Sequence, residues 1–288
     1  MQIINDELVE KFVTDCAHLH HEEAPDVLFH YTSEQALRGI VTQKCLWMTH
    51  AFHMNDSAEF SHGMSMFKQG LNLLEDAGIQ KDWLDRVRIF FDQEIKAPLA
   101  IPFVFSATQE GNQRGQWLEY GDSGRGVSIG IKTGVLTKVT KYLGGPVVVI
   151  YDEEIQRQIV QSVVESFIEL ARTLIKKLDN SDYVREFALA YFRVAYLQSV
   201  RFKSRHWRDE REWRYFLLAK NDNANIFART RGERESKYFH LDLPAVYQLL
   251  TEVVLGPRAD SNAFSNLTEL QKSLGIDFKI SQSALQGL

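Results

Sequence analysis

The chain has little cysteine, no excess of positive charge and no long hydrophobic run, and each absence excludes a class of protein. Only two cysteines, Cys16 and Cys45, occur in 288 residues. Neither has the CxxC or Cys/His spacing of a structural zinc site, and a disulfide framework is excluded. No run approaches the ~20 apolar residues that span a bilayer, and the acidic segment 1–10 lacks the apolar region of a secretory signal. We therefore expect a cytoplasmic protein with no membrane segment.

The net charge is −5 with a pI near 6.0, which does not favour a general nucleic-acid binder. A local basic groove stays open as an interpretation, because six basic residues lie close together in sequence. They are Arg201, Lys203, Arg205, Arg208, Arg211 and Arg214. Hydrophobic residues at 44% and aromatic residues at 11% are ample for a core. We expect a single domain over residues 1–288.

The most unusual stretch is the charged segment 205–214, which runs into an aromatic strand pattern. Trp213, Tyr215 and large apolar residues favour a pleated surface. Glu210 and Glu212 lie two residues apart where this strand begins. Side chains at i and i+2 of an extended chain point to the same side. The spacing therefore predicts two carboxylates facing one cleft, with Arg211 on the other side. A solvated strand entry with weak surface ion pairs is the alternative.

Periodicity along the rest of the chain predicts an α+β fold with many short strands and flanking helices. Strands are expected at 27–32, 44–49, 101–108, 127–131, 146–151, 237–243, 251–255 and 278–281. Helices are expected at 4–20, 34–41, 58–74, 80–96, 153–178, 182–200 and 261–274. The two long helices form a predicted helical hairpin inserted over 153–200. Residues 221–234 are polar and contain glycine, which predicts a mobile loop.

The turn Asp122–Gly126 is rich in glycine, and its backbone N–H groups could cradle a phosphate. It matches neither the Walker A loop nor GxGxxG, so an ordinary hairpin turn is the favoured interpretation. The histidines His18, His20 and His21 lack HExxH spacing, and no metal site is expected there.

Four motifs in this order resemble a bacterial domain-of-unknown-function family, number 2971, over residues 27–281. The first joins Leu28–Ser33, Leu46-Trp47 and Met54–Phe60, and the second joins Phe105-Ser106, Gln116-Trp117 and Tyr120–Val127. The third is Trp207 with Glu210-x-Glu212-Trp213-Arg214, and the fourth is Val253–Pro257. The family name assigns no activity.

A more distant resemblance carries chemistry. His30-Tyr31-Thr32, the capped helix that follows and the next short strand resemble the start of DNA-targeting ADP-ribosyltransferase toxins. This resemblance implies an ADP-ribosyltransferase-like mixed or split sheet, with NAD as substrate and no metal. It implies catalytic roles for Glu212 and Glu210. It implies NAD-binding roles for His30, Tyr31, Thr32, Ser106, Trp117, Tyr120, Arg125 and Arg214. Ser106-Ala107-Thr108 only approximates the superfamily's Ser-Thr-Ser motif.

The expected function is transfer of ADP-ribose to a macromolecule, either nucleic acid or protein, in a toxin or phage-defence setting. A carboxylate such as Glu212 would accept from the ribose 2′-OH and stabilise developing positive charge. Glu210 would orient or deprotonate the acceptor, and arginines would pair with the pyrophosphate. Two alternatives remain open. One is a non-catalytic nucleotide- or protein-binding module of the same fold. The other is a metal-dependent nuclease using Asp56, Glu59, Glu210 and Glu212.

Overall fold

The computed structural model describes residues 22–54, 57–139, 143–175, 181–231 and 234–285. The helix predicted over 4–20 lies outside these residues. The strands are β1 (Val27–Thr32), β2 (Cys45–His50), β3 (Ala100–Thr108), β4 (Val127–Lys132), β5 (Gly144–Val148), β6 (Glu212–Lys220), β7 (Ile226–Arg231), β8 (Arg234–Asp242), β9 (Leu250–Leu255) and β10 (Lys279–Gln282). The α-helices are α1 (Glu34–Gln43), α2 (Ser57–Asp76), α3 (Lys81–Lys96), α4 (Arg114–Glu119), α5 (Thr133–Leu136), α6 (Glu153–Ile175), α7 (Ser181–Ser199), α8 (Val246–Leu249) and α9 (Ala263–Leu274). None of the described helices has the length and apolar character needed to cross a membrane.

The described strands join in one large mixed sheet, which confirms the predicted α+β class. Its order is β10-β9-β4-β1-β3-β2-β8-β7, and β6 and then β5 extend it from the other edge of β3. The pair β9–β10 is parallel, whereas the ladders around β3 are antiparallel. β3 is the central strand. It pairs with β6 along its whole length from Ala100 to Thr108, and its other edge meets both β1 and β2.

The sheet splits along the edge of β3 that faces away from β6. β1 meets this edge only at Phe29–Thr108, and β2 meets it only at positions 103 and 104. Between these contacts, residues 105–107 of β3 have no strand partner on that edge within the described chain. We call this gap the split. It opens because β1 continues along β4 and β2 continues along β8.

The two faces of the sheet bury separate cores, as the alternation of side chains along β3 dictates. Phe103 and Phe105 point to a core that also contains the apolar faces of α1, α8 and α9. Val104 points to the opposite core, which is built by α2, α3, α6 and α7. By the same alternation along β6, Trp213 belongs to the first core, and Arg214 lies on the face of the second.

The predicted hairpin over 153–200 forms two helices, but they are part of a larger helical layer. α6 and α7 pack against α2 and α3 rather than chiefly against each other. Trp83 of α3 contacts Phe187 of α7 with ring centroids 4.7 Å apart. The hydroxyl of the buried Tyr191 donates to the backbone oxygen of Phe67 at 2.7 Å. The insertion therefore supplies core packing for one face of the sheet.

One local prediction was wrong. Residues 226–231 are strand β7, which forms a hairpin with β8, and not part of a mobile loop. The polar composition of 221–234 hides an alternation in which Ile226 packs against the core and Phe227 is exposed. A strand with one solvated face needs only this alternation and a partner.

Candidate active site beside the split

The centre of the candidate site is Glu212, the first residue of β6. Its carboxylate accepts two hydrogen bonds from Arg214, from Nε at 2.7 Å and from Nη2 at 2.9 Å. It also accepts from Lys203 Nζ at 3.0 Å. The backbone N–H of Glu212 donates to the Tyr151 hydroxyl at 2.9 Å. Glu212 is thus a buried anion with both oxygens bonded.

Glu210 meets the same lysine from a different backbone direction. Its Oε2 forms a short ion pair with Lys203 Nζ, and its Oε1 accepts from the Tyr120 hydroxyl at 3.0 Å. Its backbone oxygen accepts from Thr108 Oγ1 at 2.7 Å. Glu210 ends a 3-10 helix over 205–210 that is capped by Ser204. The two carboxylates therefore converge, as the sequence predicted.

The predicted reason for that convergence was wrong, because the segment is not extended. Arg211 adopts the left-handed conformation, with φ 46° and ψ 49°, between the 3-10 helix and β6. This residue ends the 3-10 helix just before β6 begins, and Lys203 bonds both carboxylates. Arg211 itself turns outward, where its guanidinium pairs with Glu110 at 2.6 Å.

Two cations and two carboxylates thus form a charge-balanced network, which we call the ion-pair network. The exposed fractions of its side chains are 7% for Lys203, 12% for Glu210, 7% for Glu212 and 3% for Arg214. Burial opposes ionisation of Glu212, but Arg214, Lys203 and Ser106 outweigh it and bring the pKa of Glu212 down to about 2. Glu212 is therefore ionised at neutral pH, and Glu210 is the more accessible of the two carboxylates.

Two tyrosines border the network. Burial, together with the charge of Glu210, raises the pKa of Tyr120 well above its usual range. Burial and the charge of Glu212 do the same for Tyr151. Both phenols therefore stay protonated, so that Tyr120 acts as a hydrogen-bond donor to Glu210.

His30 lies in the split. Its Nδ1 lies 2.9 Å from the backbone oxygen of Ser106, and its ring packs against Phe105 with centroids 4.6 Å apart. A carbonyl oxygen only accepts, so Nδ1 carries the proton and Nε2 is left as an acceptor. Burial lowers the pKa of His30, which keeps the ring neutral. Ser106 thus contacts His30 through its backbone oxygen, and its side chain is among the groups that lower the pKa of Glu212.

Three other predicted binding residues hold the framework around the site. Tyr31 donates to the backbone oxygen of Glu110 and accepts from the backbone N–H of Gln113, both at 2.8 Å. Burial raises its pKa to about 12. Trp117 is fully buried and meets Tyr31 edge to face, with ring centroids 4.8 Å apart. Thr32 ends β1 and pairs with β4. These residues fix the loop 109–113, whose Gln113 side chain donates to the backbone beside Glu210.

The predicted arginine ligands occupy different environments. Arg214 is buried and committed to Glu212 and to the backbone oxygen of Val200, at 2.8 Å. Arg125 is exposed and pairs with Asp122 at 3.3 Å in the glycine-rich turn. That turn packs against backbone, since a Cβ on Gly126 would lie 2.1 Å from the oxygen of Thr32. The turn is not the predicted hairpin, because residues 122–124 form a 3-10 turn that connects α4 to β4.

The six clustered basic residues do not form one exposed groove. Arg201, Lys203 and Arg214 are buried, whereas Arg205, Arg208 and Arg211 are exposed. Sequence reasoning assigned Lys203 to a surface cluster and missed its role in the ion-pair network. It also missed Tyr151. The available signal for Lys203 was its position among the large apolar residues Val200 and Phe202, both of which are buried.

The nuclease alternative requires a metal ion beside Glu210 and Glu212. The position between those carboxylates is taken by the ammonium group of Lys203. Asp56 lies outside the described residues, as does the side chain of Glu59. Among the described residues, no group of three or more His, Cys, Asp or Glu could hold a metal ion.

Comparison with known proteins adds one match. The sequence model of a family described as a protein of unknown function (DUF2971) matches residues 116–215. The matched range contains the whole ion-pair network and Tyr120, and it leaves His30 and Ser106 outside. It supports the resemblance to this family that the motifs indicated. No curated protein and no solved structure matches the chain.

Proposed function

We propose that this protein binds NAD beside the split and transfers ADP-ribose to a macromolecular acceptor. The observation that carries the proposal is that Ser106 connects the two sides of the candidate site. Its backbone oxygen lies 2.9 Å from His30 Nδ1, and in the β3–β6 ladder Ser106 pairs with Arg214, which holds Glu212. These residues come from β1, β3 and β6, and the distant resemblance to ADP-ribosyltransferases assigns them to one NAD site. The toxin or phage-defence setting rests on that resemblance alone.

The reaction breaks the bond between ribose C1′ and nicotinamide, and nicotinamide leaves with the bonding electrons. An acceptor atom then bonds to C1′ and passes its proton to a base. Positive charge develops on the ribose, so a nearby carboxylate stabilises the transition state. Glu210 suits this contact better than Glu212, because it is more exposed and is not paired with Arg214. This reverses the roles expected from the sequence.

Glu212 then acts as a positioning residue. It holds Lys203, and Lys203 holds Glu210. Tyr120 fixes the other oxygen of Glu210 and presents an aromatic ring at the edge of the network. His30 keeps Nε2 as an acceptor for an amide or hydroxyl group of the ligand.

The fit to NAD differs between its two ends. The nicotinamide ribose has a partly exposed carboxylate, a neutral imidazole and a phenol as partners. Arg214 does not fit the pyrophosphate, since contact would require breaking its two bonds to Glu212. We assign the pyrophosphate instead to an exposed arginine such as Arg125, which forms only a surface pair.

The test is nicotinamide release from NAD by the purified protein, with and without cell lysate as a source of acceptor. Wild type is compared with Glu210→Gln, Glu212→Gln and the control Glu269→Gln, which alters an exposed glutamate on α9. We expect release by wild type and the control, and loss of release in Glu210→Gln with a smaller fall in melting temperature than in Glu212→Gln, because Lys203 keeps its bond to Glu212. Glu212→Gln should lose both release and thermal stability.

NAD binding by calorimetry separates the proposal from its alternative. Binding without release under any condition would favour the non-catalytic module, an interpretation supported by the saturated bonding of Glu212. Absence of both release and binding would overturn the proposal.

A further inference from the structure

A second surface of chemical interest lies on the wing of the sheet formed by β2, β8 and β7. Trp47, Tyr238, His240 and Phe227 stand together on one face of these strands. Trp47 stacks on Tyr238 at 4.4 Å between ring centroids, and Phe227 meets His240 at 4.2 Å. The guanidinium of Arg229 lies 5.9 Å from the ring centroids of both Trp47 and Tyr238. We call these five residues the aromatic platform.

The aromatic platform is open to solvent. Trp47 is 44% exposed and Phe227 is 42% exposed, although both sit in regular strands. The opposite face of the same wing is buried, with Leu46, Met48 and Leu241 in the core. A cluster of large rings on the solvated face of a sheet costs hydrophobic free energy unless something covers it.

Ring geometry and charge favour one kind of occupant. Successive rings on an open sheet stack unpaired nucleobases, and arginine adds cation–π and phosphate contacts. The segment 226–234 carries three arginines and one glutamate, in a chain whose net charge is −5. Asp242 is the acidic side chain that acts on His240 at the border of the platform. A local basic excess beside exposed rings is complementary to a nucleic-acid strand.

The platform also adjoins the candidate active site in the topology of the sheet. β2 leaves β3 after Thr49–Val104, and Trp47 lies two residues before that point. By the alternation along β2 and β3, Trp47 shares a sheet face with Val104 and Ser106. At Val104 the helical layer covers that face, so the platform and the split are separate surfaces.

We propose that the aromatic platform binds single-stranded nucleic acid by stacking its unpaired bases on Trp47 and Phe227, with Arg229 contacting the backbone phosphate. This binding requires neither NAD nor the transfer activity. Its failure is therefore distinguishable from failure of the proposed function.

The experiment is fluorescence anisotropy with labelled oligonucleotides of about 12 nucleotides, a length within the range that single-strand-binding domains cover. Three probes of one mixed sequence are used without NAD: single-stranded DNA, single-stranded RNA and the DNA duplex. Variants are Trp47→Ala, Phe227→Ala and Arg229→Gln. The matched control is Phe264→Ala, which removes an even more exposed phenylalanine on α9.

We expect wild type to bind at least one single-stranded probe more tightly than the duplex. Trp47→Ala and Phe227→Ala should each weaken binding about 5- to 150-fold, the effect of losing one base–aromatic stack. Arg229→Gln should lower the slope of log affinity against log salt concentration by about one, the effect of losing one phosphate contact. The single strand that binds more tightly, DNA or RNA, identifies the sugar that the platform prefers.

Several results would overturn the proposal. They are no binding to either single strand, equal binding to the duplex, or alanine variants that bind like Phe264→Ala. Because the substituted rings are exposed, unchanged thermal unfolding of each variant is expected and excludes misfolding as the cause of lost binding.

Discussion

Lys203→Met is the substitution that tests the ion-pair network most directly. Methionine has a similar length and no charge, so the change removes one cation without opening a large cavity. Lys203 Nζ contacts Glu210 and Glu212, and the three side chains are at most 12% exposed. The substitution therefore leaves a buried carboxylate without its main cation.

The magnitude follows from how much compensation remains. Removing one partner of a buried ion pair costs about 3–5 kcal/mol. Glu212 keeps both of its bonds to Arg214, so the uncompensated charge is mainly that of Glu210. We therefore expect the lower end, about 3 kcal/mol, which corresponds to a fall in melting temperature of roughly 5 °C for a chain of this length.

Urea denaturation at pH 7 measures this loss, with Lys68→Met as the control. Lys68 forms an ion pair of similar length with Asp92, but at 46% and 41% exposure, and should lose less than about 1 kcal/mol. Adding Glu210→Gln to Lys203→Met should restore stability, because it removes the uncompensated charge. Equal stability of Lys203→Met and Lys68→Met, or no recovery in the double variant, would refute the reasoning.

Three further outcomes are expected. The pKa of Glu212 is depressed to about 2. The ionised carboxylate therefore contributes on the order of 3 kcal/mol to the free energy of unfolding when the pH is above its unfolded pKa. This stability is lost as the pH falls from about 4.5 toward 2. Glu212→Gln should flatten acid unfolding over that window. Gly126→Ala should destabilise the protein by several kcal/mol, because the added Cβ would lie 2.1 Å from a backbone oxygen. A lowered urea midpoint would show this loss. Gly115→Ala is the control and should leave the midpoint unchanged, since its Cβ would have no atom within 4 Å. Tyr191→Phe should cost about 1–2 kcal/mol, measured the same way, since it deprives the buried oxygen of Phe67 of a donor.

Elements with strong local signals were predictable from the sequence. Ser33 caps α1 by accepting from the N–H of Ala36 at 3.1 Å, and Lys44 ends that helix in the left-handed conformation. The apolar spacing of α6 and α7 correctly predicted both helices, because tertiary packing and local periodicity agree there. β7 was missed because the residues on either side of it are polar and include glycine, which is typical of a loop.

The candidate site was predictable in composition but not in geometry. The Glu-x-Glu spacing correctly drew attention to Glu210 and Glu212. Their arrangement depends on the left-handed backbone of Arg211 and on Lys203, whose partners are set by tertiary structure. Local propensity does not favour that backbone at an arginine. Nor does it indicate whether a lysine points to solvent or to a buried carboxylate.

The ion-pair network is better explained by what it positions than by what it stabilises. A buried set of two cations and two carboxylates often contributes no more stability than apolar residues of the same volume. Here it joins the end of α7, through the bond from Arg214 to Val200, to the start of β6 and to the turn that ends at Glu210. β6 pairs with β3, the strand whose other edge forms the split where His30 and Ser106 meet. A rigid, neutral frame that leaves one carboxylate partly exposed is the arrangement that transition-state stabilisation requires. If that is its role, Glu210→Gln abolishes nicotinamide release while Lys203→Met, which only loosens the frame, weakens it.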